Sequence, residues 1–223
     1  MNFNTYPDRE MLAIALADKM ASELEKGLLT HETVSLAVPG GTSPGPIFDN
    51  LCAVSTIDWS RVRVMLTDER WVPESSDRSN GKLIKERLMV GPAAKAQFVP
   101  FFVEGQTPDQ AAGPLSENLA PNFPITLLLL GMGADMHTAS LFPGADGLAA
   151  GLDPNAPALV PIRAEGQEPR ISLSAPALKG ALSTHLVIYG QDKRDALQRA
   201  ATLPLEQAPI ATVLPDATIH WAE

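Results

Sequence analysis

Cysteine occurs once in this 223-residue chain, at Cys52, which excludes an internal disulfide framework and fits a reducing cytoplasm. Histidine is scarce as well: the 4 residues His31, His137, His185 and His220 are dispersed along the sequence, and Asp135-x-His137 is not a zinc ligand set, so no metal is expected. Long apolar runs are missing. The longest clean one, Leu127 to Leu130, is strand length, far short of the roughly eighteen residues of a membrane span. A basic-then-apolar leader is missing too, because Asp8, Arg9 and Glu10 interrupt the start. Positive charge is in deficit, and the net charge of −9 argues against nucleic acid or an anionic membrane as the main partner. It leaves a phosphorylated metabolite open, since one phosphate needs a few local donors and the global field is screened beyond about 10 Å. What remains is a soluble protein with an ordinary 45% of hydrophobic residues, read as one domain over residues 1–223 and as a monomer or weak homodimer.

The chain alternates helical and extended patterns. Residues 8–29 predict an amphipathic helix, with Met11, Leu12, Ala15, Leu16, Met20 and Leu24 on the helical period. Strands are expected at Val34–Val38, Arg61–Leu66, Ile125–Leu130, Ala158–Ile162, Arg170–Leu173, His185–Tyr189 and Ala217–Trp221. Further helices are expected after Pro44, at Lys82–Met89, Pro108–Leu119 and Asp192–Ala201. Ile125–Leu130 is apolar on both faces, as a central parallel strand is. The alternation implies an α/β fold, a mainly parallel sheet with helices on both faces. Ligands in such a sheet bind at the carboxyl ends of the strands, where residues 39–44, 67–80 and 131–144 form polar or Gly-rich loops.

Each loop has a chemistry. Gly40, Gly41, Thr42 and Ser43 join a strand to a helix, so that backbone amides and hydroxyls can donate to an anion. Residues 41–45 also spell G-x-S-x-G, but the residue after Ser43 is Pro44, which has no N–H to lend an oxyanion hole. Ser43 is therefore a binding residue or a cap. Asp68, Glu69 and Arg70 follow a strand, with Ser79 and Asn80 further on; Arg70 can clamp a phosphate or steady an oxyanion, or the segment is a surface loop closed by its own salt bridges. The third loop runs from Gly131 to Gly144 and holds Asp135 and His137 two residues apart, ahead of an expected short helix near Thr138. Histidine, with an ordinary pKa of about 6.5, suits a general base. Met136 stands where a dinucleotide-binding G-x-G-x-x-G needs its third glycine, so no nucleotide cofactor is expected. Arg170 and Lys193 sit at strand ends and can each reach a phosphate.

Together the three loops resemble the 6-phosphogluconolactonase family. That family carries a Gly-Gly turn ending in Ser/Thr-Pro, then Asp-Glu-Arg-x-Val-Pro followed by Ser-Asn, then Gly-x-Gly-x-Asp-Gly-His-Thr-Ala-Ser-Leu-Phe-Pro. Here these stand at Gly40–Pro44, at Asp68–Pro73 with Ser79-Asn80, and at Gly131–Pro143. The Arg170 strand, the Gly190-x-x-Lys193 turn and Ile219-His220-Trp221 are similar too, so the likeness covers nearly the whole chain. The resemblance implies the Rossmann-like glucosamine-6-phosphate deaminase/6-phosphogluconolactonase fold. It also implies a cofactor-free, metal-free hydrolase that turns 6-phospho-D-glucono-1,5-lactone into 6-phosphogluconate, the second step of the oxidative pentose phosphate pathway. It gives His137 the activation of water, Asp135 the orientation of His137 or of its loop, and Arg70 a part in the oxyanion or phosphate contact. Gly40, Gly41, Thr42, Ser43, Asp68, Arg170 and Lys193 become the substrate and phosphate site.

Two positions depart from the family. Pro39 replaces a usual Ser, and Met136 a usual Gly; the reading here is a loop that accepts a side chain and a site made narrower or more apolar. A positive φ at Met136 would instead cost about 1–3 kcal/mol. One alternative is a glucosamine-6-phosphate deaminase, which tends to follow its His with a carboxylate-bearing Phe-Asn-Glu-Pro-like stretch; Ser140-Leu141-Phe142-Pro143 has no carboxylate. The other is a sugar-phosphate sensor that binds without turnover, against which His137 stands.

Overall fold

The computed structural model describes residues 2–223. In chain order the elements are β1 (Asn2–Thr5), α1 (Arg9–Thr30), β2 (Val34–Val38), α2 (Gly45–Leu51), β3 (Val62–Leu66), β4 (Asp68–Arg70), α3 (Asn80–Arg87), β5 (Gln97–Val99) and α4 (Pro108–Leu119). They continue with β6 (Leu127–Gly131), α5 (Leu148–Leu152), β7 (Leu159–Ile162), β8 (Arg170–Leu173), α6 (Ala175–Lys179), β9 (Thr184–Tyr189), α7 (Gln191–Ala200) and β10 (Thr218–Ala222).

Helix α1 begins where Asp8 caps it, the carboxylate accepting from the Met11 amide at 2.8 Å. Its buried stripe is Leu12, Leu16, Met20 and Leu24, with Ala13, Ala17 and Ala21 beside them. Met11, expected on that stripe, is half exposed at 49%, because the helix is rotated so that alanines rather than Met11 and Ala15 face inward.

Seven strands form one parallel sheet in the order β1-β10-β9-β6-β2-β3-β5. All five residues of β2 and the first four of β6 are buried, so layers cover both faces at the centre of the sheet. From β2 the chain moves outward to β3 and β5, then returns to the other side of β2 as β6 and proceeds to β9 and β10. The carboxyl ends of β2 and β6 are therefore the topological switch point, where an open α/β sheet leaves a crevice.

The segments 159–162 and 170–173 are extended as expected but lie outside this sheet. With Asp68–Arg70, expected to be loop, they make a separate antiparallel sheet in the order β4-β8-β7. Nor does a helix start near Thr138. Thr138 Oγ1 donates to the Gly131 carbonyl at 3.0 Å, and Thr138 pairs with Leu141 in an isolated bridge. That stretch is an ordered turn. The strands β1 and β5 and the helices α5 and α6, of three to five residues each, are too short to display a period in the sequence.

Candidate active site

A cleft of about 250 Å³ opens at the switch point. The turn after β2 supplies Pro39, Gly40, Gly41 and Ser43; the turn after β6 supplies Gly131, Gly133 and His137. The small sheet supplies Asp68, Arg70 and Arg170, and the first turn of α7 supplies Lys193. Three loops distant in sequence thus meet. Of the anticipated residues, Thr42 does not line the cleft; its side chain is exposed, and its carbonyl accepts from the Gly45 amide at 3.2 Å. Asp135 is not in the wall either but sits behind His137.

His137 Nδ1 lies 2.5 Å from Asp135 Oδ1, and the same carboxylate oxygen accepts from the His137 amide at 3.3 Å. A carboxylate can only accept, so the Nδ1 proton points at Asp135, which makes Nε2 the basic nitrogen whenever the ring is neutral. The ring packs against Phe142, centroid to centroid 4.3 Å. Gly133 makes the pair possible: a Cβ there would overlap both the imidazole and the Asp135 carboxylate. Met136 has φ 67, in the left-handed region, so the strained alternative is the one observed. Its carbonyl accepts from the Ile210 amide at 3.2 Å and its side chain packs on the core. Met136 does not line the cleft, which corrects the expectation of a narrower site.

The cationic wall is built across the small sheet. Arg70 and Arg170 are register partners of β4 and β8, so their side chains share a face. Arg70 Nη1 donates to the Arg78 carbonyl at 2.7 Å and to Asn80 Oδ1 at 3.3 Å. Arg170 Nη2 donates to Gln167 at 2.7 Å, its Nη1 lies 3.6 Å from Asp68 Oδ2, and its guanidinium covers the Phe142 ring at 5.0 Å. Both Nε atoms are buried without a hydrogen-bond partner among the described residues. Burial presses the Arg170 pKa below its ordinary value, Asp68 opposes this, and the Arg70 charge adds to it. Lys193 is half-buried, and burial likewise lowers its pKa. Two opposed guanidiniums and a desolvated ammonium around one cleft call for an anion.

The Asp68 carboxylate is occupied internally: Ser140 donates to it at 2.6 Å, Thr67 at 3.1 Å, and Arg170 stands beside it. Glu69, expected only as one of three charges after a strand, is 2% exposed and accepts from the amides of Arg70, Asn80 and Gly81 and from the Ser79 hydroxyl. Asn80, expected in the polar loop, opens α3. It donates to the Asp68 carbonyl at 2.9 Å and fills the space beside Gly40, where a Cβ would overlap its amide. The spacing of Asp68-Glu69-Arg70 from Ser79-Asn80 hinted at these roles, and Ser79 also caps α3 by accepting from the Lys82 amide. No cluster of metal-ligating side chains exists among the described residues. His185 and His220, dispersed in sequence, are nonetheless neighbours at 3.0 Å, and neither lines the cleft.

The comparisons with known proteins agree with this geometry. Residues 7–221 match the family model described as glucosamine-6-phosphate isomerases/6-phosphogluconolactonase. A 6-phosphogluconolactonase of Mesorhizobium japonicum is 40% identical over 99% of this chain and 95% of its own length. Another, from Rhizobium meliloti, is 38% identical over 99% of this chain and 98% of its own. The crystal structure of a 6-phosphogluconolactonase from Shewanella baltica superposes with a TM-score of 0.95 at 31% identity, covering 100% of this chain and 98% of that one. The chain belongs to the glucosamine-6-phosphate isomerase/6-phosphogluconolactonase family.

Proposed function

We propose that this protein is a 6-phosphogluconolactonase, hydrolysing 6-phospho-D-glucono-1,5-lactone to 6-phosphogluconate. The observation that carries the reading is the cross-strand Arg70–Arg170 pair, each with an unpartnered buried Nε, in the same cleft as the His137–Asp135 pair. Arg70, Arg170 and Lys193 take the phosphate, and the amides of the Gly40-Gly41 turn join them. Asp68 positions Arg170 rather than touching the substrate. Binding energy spent on the phosphate fixes the remote lactone carbonyl against the catalytic pair.

His137 Nε2 removes a proton from water as the water oxygen bonds to the lactone carbonyl carbon. The tetrahedral adduct collapses by breaking the bond from that carbon to the ring oxygen. The imidazolium returns its proton to the departing oxygen, which becomes a hydroxyl, and the carbonyl carbon leaves as a carboxylic acid, which gives its remaining proton to solvent and becomes the carboxylate. Asp135 stabilises the imidazolium and holds the ring in register. The relatives' names and the absence of a carboxylate in Ser140–Pro143 favour the lactonase over the deaminase reading.

The test is to generate the lactone in situ and follow 6-phosphogluconate through a coupled NADPH signal, against the spontaneous rate. Wild type accelerates hydrolysis, His137→Ala lowers kcat by about 10²–10⁴, and Arg170→Ala mainly raises KM. Near-wild-type turnover of His137→Ala removes the base from the mechanism. Phosphate-ester binding without any acceleration makes the protein a sensor.

A further inference from the structure

His137 and Arg170 line one cleft but come from elements distant in sequence, the turn after β6 and the strand β8. Hydrogen bonds hold each of them at points rather than in a plane. Asp135 fixes His137 at Nδ1, and Gln167 fixes Arg170 at Nη2. Beside Arg170 Nη1 the contacts are looser, the Ser140 hydroxyl at 3.4 Å and Asp68 at 3.6 Å. An imidazole held at one nitrogen still swings about that bond, and Nε2 swings with it.

Phe142 supplies the missing constraint on both. Its ring centre lies 4.3 Å from that of His137, with the planes inclined at 44°, and the Arg170 guanidinium carbon stands over the same ring at 5.0 Å. A cation at that distance is attracted by the ring quadrupole, more strongly where water is excluded. Phe142 is 8% exposed and is not part of the cleft wall, so its ring serves the two groups and not the substrate.

The ring is itself anchored. The Phe142 amide donates to the Ser140 carbonyl at 3.1 Å, and the Phe142 carbonyl accepts from the Ala145 amide at 3.1 Å. Ser140 is fully buried; its hydroxyl donates to Asp68 at 2.6 Å and its amide to the Ser172 hydroxyl at 3.1 Å. Phe142 therefore rides on a turn bonded to β4 and β8, the strands that carry Arg70 and Arg170. We propose that Phe142 is a positioning residue, whose one ring sets the spacing and the planes of the guanidinium that takes the phosphate and the imidazole that activates water. The role of the base rests on the lactonase reading; the hold on Arg170 does not.

Phe142→Leu and Phe142→Met remove the ring while filling much of its space, Met adapting to an irregular gap. Phe142→Tyr keeps the ring. Each variant is assayed for lactone turnover above the spontaneous rate and titrated with 6-phosphogluconate, and urea unfolding identifies those that fold. The ringless variants are expected to raise KM and the Kd of 6-phosphogluconate about 3- to 30-fold and to lower kcat about 10- to 100-fold. Phe142→Tyr restores all three. In an Arg170→Ala background Phe142→Met leaves KM and Kd where they are but still lowers kcat, because the base keeps its need for the ring. A ring that only fills the core would lower the unfolding midpoint without moving KM or Kd. That result, a Tyr variant no better than Met, or effects on Kd that add to those of Arg170→Ala would overturn the proposal. If the wild type leaves the lactone at its spontaneous rate, the lactonase reading fails together with the role of the base, and the Kd series alone decides the hold on Arg170.

Discussion

Asp135 and His137 meet at 2.5 Å because Gly133 leaves room for both and because Met136 accepts φ 67. The Gly-rich loop made the two candidate residues legible, since it places Asp and His two apart at the carboxyl end of a buried strand. It left the backbone state of Met136 open between two readings, because the turn bonds Met136–Gly133 and Gly133–His137 and the carbonyl contact with the Ile210 amide appear only in the folded chain. A left-handed residue tolerates Asn better than a β-branched side chain, whereas packing on the core ranks Val above Asn. We expect Met136→Val to be less stable than Met136→Asn by about 1 kcal/mol, read from urea midpoints. The opposite order would mean that packing, not backbone conformation, governs this position.

At the scale of elements, long helices and buried strands were readable and the clamp that shapes the cationic wall was not. Leu127–Leu130 and the α1 stripe announce themselves by pattern. Asp68-Glu69-Arg70 looks like a polar loop because its three residues are charged, yet Asp68 and Glu69 are buried as part of an antiparallel ladder whose partner, Arg170–Ser172, is about a hundred residues away in a range no local pattern links. Glu69 is the peg that joins β4 to α3, accepting from three backbone amides at 2.7–2.8 Å. Burial raises its pKa above the ordinary carboxylate value, and the amide bonds pull the other way. In Glu69→Gln one amide oxygen must serve those donors while a new N–H₂ confronts them. The expected loss is about 1–3 kcal/mol in denaturant unfolding, together with a higher KM, because Arg70 and Asn80 hang from the same peg. Unchanged stability and KM would show that the loop holds its shape without the charge.

The whole molecule is closed by a partly buried chain of hydrogen bonds, none of whose members lines the cleft. Glu23 on α1 meets His185 Nε2 at 3.0 Å, His185 Nδ1 meets His220 Nε2 at 3.0 Å, and His220 Nδ1 meets the Tyr6 hydroxyl at 2.8 Å, so one path ties α1 to β9, β10 and the segment after β1. With both rings neutral, every proton has a place: Tyr6 donates to His220, His220 to His185 and His185 to the carboxylate. Separations of 162, 35 and 214 residues kept this path out of the sequence reading. Burial, reinforced by His185, presses His220 from its ordinary 6.5 to about 3. Burial pushes Glu23 up, but the bonds from His185 and Ser183 outweigh it and hold the carboxyl at about 2. Both groups bind fewer protons folded than unfolded, so both give stability that is complete above the unfolded pKa and is lost on acidification. His220 acts from pH 6.5 downward, at up to about 1.4 kcal/mol per pH unit; Glu23 adds its share only below about 4.5, the ordinary value of its carboxyl. Urea unfolding between pH 7 and 5 therefore isolates the histidine. We expect the wild-type free energy to fall across that window and His220→Asn to start lower at pH 7 but stay flatter. A variant that keeps the wild-type slope would place the acid sensitivity elsewhere and leave the chain as a tether without a titrating role.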